Sequence, residues 1–177
     1  NYHRHATFLS KNYSEQGNHL LFEAQRMFYA GTFFPEFKEA SEWRKSGIDI
    51  LNHGILQQVY PDGGQYELDP HYHLATINIF YSALNMGTVN GFQKEFPQNY
   101  IDTIERMIMF YANICFPDYS NPCFSDALLT GKQYTINCYK KWSALFPDNQ
   151  VIRYFATEGK EGTLPDYLSK GFTTSGF

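Results

Sequence analysis

Apolar residues recur at helical spacing in several segments of this 177-residue chain, and residues typical of turns separate those segments. Between residues 18 and 30, the positions Leu21, Phe22, Met27 and Phe28 are compatible with the period of an α-helix. Similar patterns predict further helices over 36–58, 71–85, 97–115, 132–146 and 148–157. The sequence therefore predicts an all-α fold in a single domain of ordinary size.

Successive predicted helices differ in how much of their surface is apolar. Segment 36–58 carries charged residues such as Glu36 and Arg44 on one side, which is typical of a helix that faces water. Segment 71–85 is apolar on most sides, as a buried helix is. This alternation is typical of helical hairpins stacked around an axis, so we expect an (α/α) toroid with inner and outer helices.

Capping and turn residues predict where some of these helices begin and end. Asn18 is a candidate N-cap for the first of them. Gly31 is expected to end that helix, and Pro35 is expected to open the next one. A shorter helix is expected after a cap at Ser125 or Asp126.

Composition narrows the classes of function. The formal net charge of −4 argues against a nucleic-acid partner, because phosphate contacts normally need a basic face. No uninterrupted apolar run of about 18 residues occurs, so we expect no membrane-spanning helix. Aromatic residues make up 18% of the chain, and 14 of them are Tyr. Part of this aromatic content must form the core, and the rest suits a cleft that stacks on sugar rings.

Two polar segments lie where loops would lead into inner helices, at 17–19 and at 64–73. His71 and His73 of the second segment are two positions apart and therefore point apart on a helix, whereas helical zinc motifs place histidines four apart. We therefore expect no metal site.

Two carboxylates of the second segment allow another interpretation. Glu67 and Asp69 are only two positions apart, which argues against a glycosidase pair that faces one sugar bond from opposite sides. Asp69 is instead expected to be a cap before Pro70. Glu67 is expected to brace the loop or to contact a substrate.

Three sequence stretches carry a resemblance to a known family. Residues 18–25, 31–38 and 62–73 resemble the heparinase II/III family of bacterial polysaccharide lyases, and most of all its heparinase III branch, which acts on heparan sulfate. Residues 124–127 resemble a shorter and weaker signature of the same family. The resemblance covers most of residues 15–130.

The resemblance implies a domain organisation. Residues 1–158 would be part of an incomplete (α/α) toroid, and 159–177 would be a linker towards an antiparallel β-sandwich domain that the chain does not include. Residues 171–177 are expected to begin a strand. The implied enzyme is periplasmic or secreted, uses no cofactor and acts on an acidic polysaccharide, and this fragment alone is expected to be inactive.

The resemblance also implies roles for individual residues. A uronate lyase removes the C5 proton beside a carboxylate and expels the oxygen at C4. Asn18 and His19 would neutralise the carboxylate, and Tyr72 would act as acid/base, with the identity of a second acid/base residue left open. The residues expected to bind substrate are Gln65, Glu67, His71 and His73.

Two alternatives stay open from the residues. A lyase of the same architecture could act on alginate or another uronan, because the elimination chemistry would be the same. A non-catalytic glycan-binding helical domain would need only the aromatic residues.

Overall fold

The computed structural model describes residues 1–168, and the regular elements in that range are helices without any strand. The predicted all-α class is therefore confirmed for the described part of the chain. A single 3₁₀ turn, Gln93–Glu95, lies between the fourth and fifth α-helices. The α-helices are α1 Tyr2–Leu9, α2 Gly17–Phe33, α3 Ala40–Gln58, α4 Pro70–Val89, α5 Gln98–Ile114, α6 Lys132–Trp142 and α7 Gln150–Thr157.

The chain divides into two compact units. The first unit consists of Asn1–Tyr60 and Ala75–Ile104, and the second consists of Pro61–Leu74 together with the chain from Glu105 onward. Two of the three boundaries fall within α4 and α5, and the third lies after α3, between Tyr60 and Pro61. None of the helices in residues 1–168 is long and apolar enough to cross a bilayer.

The first unit is built on a hairpin of α2 and α3, which pack against each other along their lengths. Gly31 lies inside α2, so the prediction that it ends this helix is wrong. Its physical role is close packing, because a Cβ at Gly31 would collide with the backbone of Ala40 and Arg44 at the start of α3. The helix expected from Pro35 begins only at Ala40, after a stretch of turns.

The short helix α1 covers one end of that hairpin with a small apolar cluster. Ala6 of α1 is buried with Met27 and Ala30 of α2 and Trp43 of α3. The partly buried side chains packed against this cluster are Leu9, Tyr13 and Phe37.

The core of the second unit contains α6 and α7, which pack on each other through aromatic rings. The ring of Tyr139 is fully buried and stacks on Phe155, with 4.6 Å between the centroids. Its hydroxyl donates to the carbonyl oxygen of Ile108 at 3.3 Å. Part of the aromatic content therefore forms the core, as expected from the composition.

No helix forms at Ser125 or Asp126 within the described residues, so that prediction is wrong. The segment folds around the buried side chain of Asn121 instead. The Asn121 amide donates to the carbonyl oxygens of Pro122 and Leu128, and its Oδ1 accepts from the Thr130 backbone N–H at 2.6 Å. A side chain thus satisfies backbone groups that helix bonds would otherwise use.

Candidate active site

The loop before α4 has a conformation that its glycine and aspartate residues determine. Gly63 has a φ of 96°, and a Cβ there would also collide with the carbonyl of Arg106, so no other residue fits without strain. Asp62 Oδ1 accepts a hydrogen bond from the backbone N–H of Gly64 at 2.9 Å, which closes an Asx turn. Leu68 also has a positive φ, of 55°, in the left-handed region that a leucine rarely adopts. Such strain is held only where the surrounding structure fixes it.

Asp69 caps α4, as the sequence predicted. Its side chain is buried, and Oδ1 accepts from the backbone N–H groups of His71 at 2.8 Å and Tyr72 at 2.9 Å. Pro70 is the first residue of the helix, where its missing N–H is not needed. The cap therefore fixes the backbone from which Tyr72 projects.

His73 is buried, with 2% of its surface exposed. Its Nδ1 accepts from the backbone N–H of Gln65 at 3.2 Å, so the ring proton is on Nε2, which donates to the carbonyl oxygen of Met107 at 2.9 Å. Burial lowers its pKa from 6.5 to about 4, although the bond to Met107 and the charge of Asp62 act in the opposite direction. The ring is neutral at neutral pH.

These contacts give His73 a structural role in the described protein. Both ring nitrogens are used by backbone groups, so the residue holds the loop and α5 against the start of α4 rather than offering a nitrogen to a substrate. Being neutral, it also cannot supply positive charge to stabilise an ionised Tyr72.

Gln65 is also buried, with 1% of its surface exposed. Its Oε1 accepts from the backbone N–H of Glu67 at 3.0 Å, and Nε2 has no hydrogen-bond partner among the described residues. The side chain lines a cavity of about 250 Å³ with apolar walls. The other residues that line this cavity are Leu68, Asp69, Pro70, His73, Phe110, Ile114 and Phe124. Gln65 therefore lies behind the loop surface, not on it.

The remaining predicted residues of this segment lie at the surface. Tyr72 is 38% exposed, and Glu67 and His71 are exposed as well. The imidazole of His71 meets the Tyr72 ring edge-on, with 6.3 Å between the centroids.

Asn18 and His19 lie in the first turn of α2. The N-cap of this helix is Gln16, so the prediction that Asn18 caps it is wrong. The Asn18 side chain is half-buried and bonds to another helix instead: its Oδ1 accepts from the hydroxyl of Thr76 in α4 at 3.1 Å. His19 is exposed.

Thr76 is the residue of this region that sequence analysis missed. It is fully buried in a stretch of α4 that is otherwise apolar, between Leu74 and Ile77. A hydroxyl at a buried position of an apolar helix needs a partner, and that requirement was the signal in the sequence. The sequence could not identify the partner, because Asn18 lies in another helix.

We predict that His73 makes stability depend on pH. Its pKa is lower in the folded protein than in the unfolded chain, so the stability that it contributes is present above pH 6.5 and is lost as the pH falls towards about 4. Between about pH 7.5 and about pH 5, the free energy of unfolding of the unchanged chain should fall by about 2 kcal/mol more than that of His73→Gln.

Chemical denaturation at the two pH values measures this difference. The exposed His53 offers a matched control, and His53→Gln should keep the pH dependence of the unchanged chain. Equal pH dependence in His73→Gln and the unchanged chain would contradict a buried neutral ring.

Comparison with known proteins assigns the family. The model of the family described as "Heparinase II/III N-terminus" matches residues 1–154. A heparin-sulfate lyase of Bacteroides stercoris is 68% identical over 177 residues, which is 100% of this chain and 27% of that protein. A heparin-sulfate lyase of Pedobacter heparinus is 49% identical over 176 residues, which is 99% of this chain and 27% of that protein.

Solved structures give the same result. A heparinase III structure that is 69% identical superposes with a TM-score of 0.84 and covers 93% of this chain and 26% of its own. The heparan sulfate lyase HepC from Pedobacter heparinus is 49% identical and has a TM-score of 0.81, with the same coverage of 93% and 26%. The chain thus spans about a quarter of the length of these relatives.

The similarity extends further along the chain than the sequence stretches first indicated. It was expected over most of residues 15–130, whereas the relative from Bacteroides stercoris aligns with all 177 residues. Since the family model matches residues 1–154, the chain belongs to the heparinase II/III family and corresponds to the region that the model describes as its N-terminus.

Proposed function

We propose that this chain is part of a polysaccharide lyase that cleaves a heparan sulfate-like glycosaminoglycan by β-elimination. The observation that carries the proposal is the 68% identity to a heparin-sulfate lyase over the whole chain. Because the chain spans only 27% of that relative, the activity belongs to a longer protein, and the fragment alone is expected to be inactive.

β-Elimination breaks the C5–H and C4–O bonds of the sugar and forms a C4=C5 double bond. A base removes the C5 proton of a uronate, the electron pair of the C5–H bond forms the C4=C5 double bond, and the C4–O bond breaks. The leaving oxygen then takes up a proton. Charge builds on the uronate carboxylate during deprotonation, so hydrogen-bond donors aimed at that group stabilise the transition state.

Asn18 and His19 are the proposed donors to the carboxylate. An Asn amide supplies neutral N–H donors, and a His beside it adds a second donor or a positive charge. The Thr76 hydroxyl donates a hydrogen bond to Asn18 Oδ1. This bond supports the role, because the amide oxygen then already has a partner within the protein.

Tyr72 is the proposed acid for the leaving oxygen. Tyr72 is 38% exposed, and the cap at Asp69 holds its backbone in place. His71 lies beside the ring and could supply positive charge to an ionised phenol. The second acid/base residue is proposed to come from outside this chain.

In this proposal, the four residues predicted to bind substrate have two different roles. Glu67 and His71 are exposed and suit direct contact with a sugar. Gln65 and His73 are buried behind them and hold the loop that presents these contacts. The net charge of −4 favours a sparsely sulfated glycan over heavily sulfated heparin, because sulfate groups would need more cations.

The wider organisation is part of the same proposal. Residues 1–158 would contribute helical hairpins to an incomplete (α/α) toroid, and 159–177 would lead towards a β-sandwich domain of a periplasmic or secreted enzyme. The strand expected at 171–177 lies outside the described residues. Alginate or another uronan is the alternative substrate class.

We expect Tyr72→Phe in the complete protein to lower kcat on heparan sulfate by about 10²–10⁴, because the ring stays while the acid is lost. The absorbance of the new double bond measures turnover. Tyr66 is a matched control, since it is also 38% exposed and lies in the loop before α4, and Tyr66→Phe should keep activity near that of the unchanged protein.

The same assay separates the alternatives. If the protein turns over alginate but not heparan sulfate, its substrate is a different uronan. If it binds a glycan without producing the absorbance of a double bond, a non-catalytic domain is favoured. Full turnover in Tyr72→Phe would remove Tyr72 from the mechanism.

Asn18→Ala in the complete protein should lower kcat by about 10²–10³ with a modest change in KM, since the donor acts mainly in the transition state. The melting temperature should fall as well, because the buried Thr76 hydroxyl loses its acceptor, so kcat is measured per folded molecule. Asn90→Ala is a control, as the Asn90 amide bonds the Met86 carbonyl and sulfur near the end of α4. An active Asn18→Ala protein would end the proposed role of the amide.

A further inference from the structure

Thr76 makes a contact that differs from those of three other helical threonines in this chain. Thr32, Thr88 and Thr103 each donate the hydroxyl to the carbonyl oxygen four residues earlier in their own helix, at 2.8, 2.9 and 2.6 Å. The Thr76 hydroxyl instead leaves α4 and donates to Asn18 Oδ1 in α2 at 3.1 Å. Thr76 is 0% exposed, so water does not compete for this bond.

The direction of this bond fixes which end of the Asn18 amide faces away from Thr76. An amide has an acceptor oxygen on one side and an NH₂ group with two donors on the other. With Oδ1 held by the Thr76 hydroxyl, the NH₂ group is directed elsewhere. Rotating the amide by half a turn would break the bond and exchange the donor for an acceptor.

A carboxylate only accepts hydrogen bonds, so it discriminates between the two amide orientations. The NH₂ end stabilises the charge that builds up during C5 deprotonation, whereas the oxygen end would repel it. We propose that Thr76 is a positioning residue that holds the Asn18 amide with its donors towards the uronate carboxylate. This inference rests on the proposed function of Asn18.

A second contact between the same two helices makes the inference testable. The buried Gln25 of α2 donates through Nε2 to the carbonyl oxygen of Ile79 in α4 at 2.9 Å. This bond does not involve Thr76 and holds the helices together without its hydroxyl. Loss of the hydroxyl should therefore change the amide orientation more than the packing of α2 on α4.

The experiment compares Thr76→Val and Thr76→Ser in the complete protein with heparan sulfate as substrate. Val keeps the shape of Thr but loses the donor, so kcat should fall about tenfold, the effect of one neutral hydrogen bond, with little change in KM or melting temperature. Ser keeps the hydroxyl and should retain most of the activity. Thr103→Val is the matched control, because Thr103 is also buried and its hydroxyl bonds within its own helix.

A double-mutant cycle with Asn18→Ala completes the test. Once the amide is absent, Thr76→Val should cause no further loss of kcat, because the hydroxyl then has nothing to orient. Unchanged kcat in Thr76→Val, equal losses in the Ser and Val variants, or additive losses in the double variant would each overturn the positioning role.

The proposed function can be judged separately in the same series. If Asn18→Ala alone keeps full kcat, the catalytic role of Asn18 fails, and the role of Thr76 fails with it. If Asn18→Ala is inactive while Thr76→Val is fully active, only the role of Thr76 fails.

Discussion

The candidate site in the second unit depends on the two hydrogen bonds that the neutral ring of His73 makes. The ring connects the backbone of Gln65 in the loop to the carbonyl of Met107 in α5, from a position one residue after Tyr72. A protonated ring would place two donors where one donor and one acceptor are needed. Burial, which lowers the pKa of His73 to about 4, therefore preserves the hydrogen-bond pattern that holds the loop.

The sequence predicted those parts of the site that depend on local chemistry. Asp69 before Pro70 predicts a helix start, because the carboxylate can accept from N–H groups that lie two and three residues ahead, and the structure has these bonds. The helix after it was predicted for 71–85 and extends over Pro70–Val89. Helical periodicity and a capping residue are both properties of neighbouring positions, so they can be interpreted without the tertiary structure.

The errors come from tertiary contacts that neighbouring residues do not encode. Gly31 was interpreted as a helix end, but the close approach of α3 requires a glycine within α2. Asn18 was interpreted as a cap, but its side chain bonds Thr76, which lies 58 positions later. His73 was expected to bind substrate, which stays a prediction, and one partner of its ring is a carbonyl 34 positions away. In each case a distant part of the chain determines the role.

The most direct test of the proposed site is a crystal structure of the complete Tyr72→Phe protein with an uncleaved heparan sulfate oligosaccharide. We expect a uronate carboxylate oxygen within about 3 Å of Asn18 Nδ2, while Oδ1 stays bonded to Thr76. A carboxylate bound away from Asn18, or an amide whose oxygen faces the substrate, would contradict the proposed roles of Asn18 and Thr76.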